Sequence, residues 1–464
     1  MSEKVKKFRL FDAVLAAVCV VLVVESSAPA AAIGNAQFFW WFVLLIAFFL
    51  PYGLISAELG TTYEGEGGIC DWVTRAFGRR WGSRVSFYYY INFSLWMGSL
   101  AVLFTDIIST LVGREFPTLL TLALQLSFIW LVVLISNYKI SESKWILNIA
   151  AILKAALMLS IGGLGIYVAL TRGSANSYTF ASFLPSFSSG GLSFVSVILF
   201  NFLGFEVVTT FASEMKNPKR EIPRAIVLGG IIIAFFYLLA AFGIGVAVPT
   251  DELSASGGIL DSFRLLLGGN AGMLLTLIGI IFLYTLAANL LSWSLGVNNV
   301  ACYAAKEGLL PQALAIEDSR GMPVGANLTN GVIASLVVLV APLIPAEDVF
   351  WSFFALNMIM LLLSYVLLFP AFLKLREVDP TTPRPFRVGG GRVRLWLMTY
   401  VPMALIILAI VFAIIPFSRA ELSEKMPLLL GTLLAVVVGE WIAADVGKRR
   451  RKRRLAQSQQ GGNV

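Results

Sequence analysis

Histidine does not occur among the 464 residues. No imidazole can therefore ligate a metal or relay a proton, and any proton that moves must use a carboxylate, a lysine, a tyrosine or water. Cysteine is nearly absent: Cys19, Cys70 and Cys302 are widely spaced and form no metal or redox pattern. Charge is scarce as well. Asp, Glu, Lys and Arg make up 13% of the chain, against about 25% in a soluble protein. No hydrolase, kinase or metal motif occurs, so an enzyme is not expected, and no catalytic residue, metal or cofactor is predicted. No segment is long enough for a soluble signalling domain, which argues against a sensor. The chain opens Met1-Ser2-Glu3-Lys4 and its first apolar run continues into a membrane helix, so no cleavable signal peptide is expected.

Apolar residues fill the space that charge leaves. They make up 58% of the chain, and the mean hydropathy is +0.83. This is the composition of an all-α polytopic membrane protein. Twelve segments are long enough to span, at residues 11–33, 38–59, 86–112, 119–137, 143–170, 192–213, 225–249, 271–304, 326–344, 349–374, 395–416 and 426–446. The chain accordingly divides into an N-terminus (1–10), five segments (11–170), five more (192–374), a final pair (395–446) and a basic tail (447–464).

Lysine and arginine set the orientation. With the N-terminus in the cytoplasm, 29 of the 35 Lys and Arg fall on that side and 5 outside. Lys154 alone sits within a segment. Both termini are therefore expected inside. The net charge of +8 lies at helix ends on one side, which argues against nucleic acid as a partner. The run Lys448-Arg449-Arg450-Arg451-Lys452-Arg453-Arg454 reads as an anchor drawn to anionic lipid, and residues 457–464 read as disordered.

Two segments are interrupted. In the sixth, Phe200-Asn201-Phe202-Leu203-Gly204-Phe205-Glu206 sets a carboxylate deep in an apolar run, where a charge costs about 2.5–3.5 kcal/mol on insertion scales. Gly204 lets the backbone leave helical geometry beside it, and a broken membrane helix is tolerated only where it lines protein or a wet cavity. In the first segment the interruption is Glu25-Ser26-Ser27-Ala28-Pro29. Pro29 removes a backbone donor, and Ser26 and Ser27 can bond the freed carbonyls. Glu25 can bind a substrate ammonium, bind a coupling proton or pair with Lys154; it can also face outside water if the first helix ends early.

The sixth segment continues Ser213-Glu214-Met215-Lys216-Asn217-Pro218-Lys219-Arg220-Glu221-Ile222-Pro223-Arg224-Ala225-Ile226. Together with Gly-Phe-Glu this resembles the sixth-helix signature of the amino acid-polyamine-organocation transporters. Ala57-Glu58-Leu59, followed by Gly67-Gly68-Ile69-Cys70-Asp71-Trp72-Val73 and Ala76-Phe77-Gly78, resembles the family's loop between helices 2 and 3, in a form similar to its glutamate/GABA antiporter and polyamine branches. Ser292-Trp293-Ser294-Leu295-Gly296 and Ala304-Ala305-Lys306-Glu307-Gly308-Leu309-Leu310-Pro311 resemble the eighth helix of the glutamate/GABA branch. The resemblance implies the leucine-transporter fold: 12 transmembrane helices, a 5+5 inverted repeat, broken helices 1 and 6, and a substrate site between the breaks.

It also implies roles. Phe200 matches an aromatic gate over the substrate, and Asn357 is a further candidate gate. Lys154 matches the lysine that takes the place of a sodium ion in proton-coupled relatives; alternatively it snorkels to the interface. Many members carry Gly-Ser-Gly at the first break, where free amides hold a substrate carboxylate. This chain has Glu25-Ser26-Ser27 there, which raises the odds of an amine over an ordinary α-amino acid. Many relatives also carry an arginine where Asn299 stands. From the residues themselves, Trp96 can pack an ammonium or simply pack. Asn289 and Ser292, three apart, can face a cavity, and Trp72 can lie at the inner interface on an amphipathic helix. The expected substrate-binding residues are thus Glu25, Ser26, Ser27, Trp96, Phe200, Asn201, Gly204 and Asn289. Lys154 is the expected coupling group, and Glu206, Trp72, Ser292 and Asn357 are structural or gating residues. The expected function is secondary active transport of amino acids or related amines by alternating access, proton-coupled or exchanging, in a bacterial-type inner membrane. The alternative is a polyamine or organic-amine transporter that uses Glu25 to bind the substrate cation.

Overall fold

The computed structural model of the chain describes residues 10, 14, 18, 21–63, 65, 67–137, 144–185, 187, 189–206, 217–269, 272–343 and 348–460. They are helical throughout, and no strand occurs among them. Among the described residues, ten helices are long and apolar enough to cross a membrane. We name the principal helices α1 (Ser27–Ala31), α2 (Ala36–Thr62), α3 (Arg79–Val112), α4 (Thr118–Ser136), α5 (Lys144–Thr171), α6 (Ser189–Asn201), α7 (Pro218–Ala247), α8 (Gly272–Lys306), α9 (Val324–Val340), α10 (Val349–Tyr365), α11 (Arg392–Ile414) and α12 (Arg419–Gln460). α1 and α6 are the short ones, and each abuts a break.

α3 is the hub. It packs most extensively on α10, then on α8, α9 and α12. Its buried face runs from Val85 through Trp96 to Ile107. α5 and α7 form the other extensive pair. They meet through glycine: a Cβ on Gly165 would run against the backbone of Gly243, and one on Gly243 into the Ile161 carbonyl. With lipid outside as apolar as the side chains, such close backbone packing is what holds membrane helices together. The outward faces are apolar. Leu430, Leu433, Leu434, Val437 and Trp441 on α12, and Ile152, Leu159 and Ile166 on α5, are all exposed. A surface of this kind suits hydrocarbon rather than water.

Polar side chains tie the hub to its neighbours. Ser94 (α3) donates to Asn330 (α9), whose Nδ2 donates to Asn298 Oδ1 (α8) at 2.6 Å. Asn298 donates to Ser294 at 2.9 Å and to Asn327 at 3.2 Å. Asn327 in turn donates to Asn137 at the end of α4, at 2.8 Å. α2 contains a π-helical turn at Leu45–Phe49. Pro51 explains it, because proline has no N–H to return to the carbonyl of Ala47. The turn sets Phe49 against Phe202 and Phe205, with ring centroids 5.1 and 4.8 Å apart.

Several expectations are corrected here. The first break lies at Leu22–Val23, N-terminal to the expected position, and Glu25 sits in the 3-10 turn Val24–Ser26 that follows. Pro29 does not break the chain: it stands in the first turn of α1, where its N–H would have had no helical partner. α3, α7 and α12 extend beyond the apolar segments, since hydropathy ends at the membrane edge and the hydrogen-bonded helix does not. Arg84, in the extension of α3, pairs at 2.5 Å with Glu440 of α12. The tail helix continues through Gln460 rather than ending before residue 457, in keeping with the high helix propensity of its Arg, Lys, Ala and Gln. Most of the tail's side chains, together with residues 1–9, 207–216 and 461–464, lie outside the described residues. So do the loop acids Glu64 and Glu66 and the signature residues Ser213 to Lys216.

Candidate functional site

α6 ends at Asn201 because the chain then turns through Phe202, Leu203 and Gly204 before a short turn at Phe205–Glu206. Gly204 has φ +96°, a left-handed value that glycine adopts without strain. A Cβ there would sit 3.3 Å from the Trp293 ring. Its freed N–H donates to the Tyr52 hydroxyl at 3.2 Å. Tyr52 (α2) and Tyr365 (α10) both direct their hydroxyls to Glu206, one to each carboxylate oxygen. Glu206 is thus a buried bracket that binds the α6 break to two other helices.

The break before α1 is held by α7. Val23 N–H donates to the Tyr237 hydroxyl of α7 at 2.9 Å, and that hydroxyl lies 3.1 Å from the Val23 carbonyl. Ser26 Oγ is 2.7 Å from both the Val23 carbonyl and Asn201 Oδ1. Its one proton can go to either acceptor, so Ser26 is placed to satisfy the freed carbonyl, as expected, or to join the two breaks through Asn201. Ser27 does not act in this way: its hydroxyl turns to Met158 Sδ on α5 at 3.5 Å.

Glu25 is 1% exposed, so it does not face outside water. Asn289 (α8) donates to its Oε1 at 2.6 Å, and Lys154, 1% exposed on α5, acts on it electrostatically. Glu25 Oε2, Asn289 Oδ1 and Asn201 Nδ2 are buried without a hydrogen-bond partner. Buried polar atoms are nearly always paired, and three unpaired ones at and beside two helix breaks describe a site ready for a polar ligand.

Beside Asn201, Phe200 packs edge-on to Phe354 at 5.3 Å and against Trp96 at 5.8 Å. Trp96 also meets Phe354 at 5.4 Å. These rings from α3, α6 and α10 make an apolar wall. Asn357, one turn from Phe354, is 1% exposed with neither amide atom bonded.

Two expected residues lie outside the bonds around Glu25. Trp72 lies on an amphipathic helix, Gly68–Phe77, as anticipated, and is 1% exposed; that helix turns its apolar face to α3 and to the helix Leu368–Val378. Cys70, on the same face, is buried, and burial pushes its thiol up to about 12, so it is unreactive. Ser292 is half-buried and takes no part in the bonds around Glu25: three residues from Asn289, it is rotated away from the buried face that holds Asn289 and Ser294. Sequence reasoning missed Tyr237, Tyr52 and Tyr365. Each is a tyrosine in an apolar helix, and its hydroxyl must find a partner when buried; that signal marks them as bonded without naming the partner.

Polytopic helices, two broken elements joined through Ser26 and Asn201, and a buried carboxylate with an open oxygen are features that suit a membrane transporter. The comparisons agree. The amino acid permease family profile matches residues 8–438, and the chain belongs to this family. A probable agmatine/putrescine antiporter of Lactococcus lactis is 52% identical over 445 residues, covering 95% of this chain and 96% of its own. An uncharacterised transporter of Legionella pneumophila is 28% identical, covering 86% and 88%. A glutamate/gamma-aminobutyrate antiporter of Lactococcus lactis is 25% identical, covering 85% and 80%. The chain is an integral membrane transporter of amino acids or related amines, and not an enzyme.

Proposed function

We propose that the chain exchanges small cationic amines of the agmatine and putrescine class across a bacterial inner membrane by alternating access. The observation that carries this reading is Glu25, a fully buried carboxylate at the first break with one oxygen hydrogen-bonded to Asn289 and the other unpaired. A cation satisfies that oxygen; a substrate carboxylate is repelled by it. The 52% identity to a probable agmatine/putrescine antiporter supports the same class.

In this reading the substrate ammonium sits at Glu25, its carbon chain lies along Trp96, Phe200 and Phe354, and Asn201 and Asn289 offer polar contacts. Phe200 closes over it, with Asn357 nearby. Lys154 and the substrate cation compete for one carboxylate. With the site empty, protonated Lys154 offsets Glu25; when an amine arrives, the lysine gives way. Such competition couples arrival of the amine to release of the lysine, and brings in protons as a second partner through Lys154. Glu206, bracketed by two tyrosines, serves the shape of the break and not the substrate.

Membership of the family supports a wider architecture of the same kind. α1 to α5 and α6 to α10 form a 5+5 inverted repeat, the breaks at α1 and α6 opening each half. With α1 and α6 counted as interrupted spans, the membrane is crossed twelve times and both termini are cytoplasmic, as the lysine and arginine distribution indicates. The basic tail meets anionic lipid, and nucleic acid is no partner.

A thermal-shift screen of purified protein tests the substrate class, because a ligand that binds only the folded state raises apparent stability. Putrescine and agmatine raise the midpoint, and neutral or acidic amino acids do not. Stabilisation by glutamate or leucine with none by the amines overturns the reading.

A further inference from the structure

We infer that Tyr237 is a positioning residue of the transport site: its hydroxyl shapes the first helix break and thereby sets Glu25 and Ser26, without touching substrate. A break in a membrane helix strands a donor and an acceptor where no water replaces the lost bonds. Here one side chain serves both. The Tyr237 hydroxyl accepts from Val23 N–H at 2.9 Å and stands 3.1 Å from the Val23 carbonyl. It is also 3.2 Å from Ser26 Oγ, the hydroxyl that reaches Asn201 in the other break. Val23, Glu25 and Ser26 are near neighbours in sequence, so the orientation of the first fixes the other two.

The ring is held as firmly as the hydroxyl. Tyr237 is 1% exposed and stacks on Trp41 of α2, with centroids 4.8 Å apart and planes 17° apart. Trp41 meets Phe202 edge-on at 5.1 Å, inside the second break. One stacked pair thus supports both breaks: Tyr237 by hydrogen bonds to the first, Trp41 by packing on the second. A phenylalanine at 237 would keep that stack and leave Val23 N–H buried and unpaired, which a buried donor does not tolerate cheaply.

Tyr237→Phe separates the two roles. The inference draws on the amine reading only for the ligand used. In reconstituted protein, amide hydrogen exchange is followed across Val21–Ser26, and putrescine exchange kinetics are measured in proteoliposomes. In the variant, exchange at Val23 accelerates more than tenfold, and KM for putrescine rises about tenfold while turnover at saturation stays within about twofold of the parent. Combining Tyr237→Phe with Ser26→Ala gives less than the sum of the separate effects, because the two hydroxyls share one network. Parent-like exchange at Val23, or a parent-like KM with turnover reduced only in step with the folded fraction, overturns the inference. If the parent carries no putrescine, the amine reading falls, and the amide-exchange arm still decides for or against Tyr237.

Discussion

Asn289 of α8 donates to Glu25 of the 3-10 turn Val24–Ser26 at 2.6 Å, across 264 residues of chain. It is the one hydrogen bond to the Glu25 side chain among the described residues, and it leaves Oε2 open. A hydrogen bond to a charged group contributes about 1.5–3 kcal/mol. Asn289→Ala should therefore weaken amine binding about tenfold or more by titration calorimetry. A variant that binds putrescine as the parent does would detach Asn289 from the site.

Lys154 is buried beside Glu25. If the lysine ammonium takes the place of a sodium ion, as proposed, uptake by the parent should be the same in sodium and in choline. Lys154→Ala should lose any response to a pH gradient while retaining amine-for-amine exchange. Sodium-stimulated uptake by the parent, or unaltered pH-driven accumulation by the variant, would show that the lysine is not the coupling group.

Glu206 accepts from Tyr52 and Tyr365. Glu206→Gln replaces one acceptor oxygen by a donor that faces a tyrosine hydroxyl, so the bracket loosens. Transport should fall severalfold with the ranking of competing substrates unchanged. A reordered ranking in competition uptake would mean that Glu206 reads the substrate after all.

How far the sequence carried these residues depended on the kind of signal. Glu25, Lys154 and Glu206 stood out because ionisable groups in apolar runs are costly and rarely accidental. Gly204 was legible for the same local reason, a residue that alone takes φ +96°. The break before α1 was misjudged because Pro29 is a local rule, whereas Val23 is freed by a tertiary partner, Tyr237, that lies 214 residues away. Tyr52 and Tyr365 were hidden likewise: their partner lies far off in the chain. The helix that carries Trp72 was legible from its periodicity, which gives a helix two faces and does not say what covers them.

A separate clamp lies away from the site. Glu58, 1% exposed, pairs with Arg376 and, at 3.4 Å, with Arg384, and accepts from Val388 N–H at 2.6 Å. Removing one partner of a buried ion pair costs about 3–5 kcal/mol. Glu58→Ala should lower the thermal midpoint strongly, while a folded fraction that remains keeps its KM. An unchanged midpoint would show that the arginines find other partners at no cost.

The neighbouring loop has its own pH dependence. Asp379 accepts from Thr382 and from Tyr63, and these bonds, with Arg384 nearby, hold its carboxyl below the usual aspartate range. A lowered carboxylate stabilises the fold above its ordinary pKa of about 3.9 and loses that contribution as pH falls through the lower, folded value. Protection of the amides across residues 379–388, corrected for their intrinsic exchange rate, should therefore fall below about pH 4, and Asp379→Asn should show the lowered protection at neutral pH. Equal rates for variant and parent at neutral pH would remove Asp379 from the loop's support.

The central claim is that a buried carboxylate reads a substrate cation, and counterflow tests it most directly. Proteoliposomes loaded with unlabelled agmatine receive labelled putrescine outside, with the parent or Glu25→Gln in the membrane. The account predicts rapid exchange by the parent, a loss of about tenfold or more in apparent putrescine affinity for Glu25→Gln, and no comparable loss for any neutral amino acid that either protein binds. Equal putrescine affinity in the variant and the parent would contradict it.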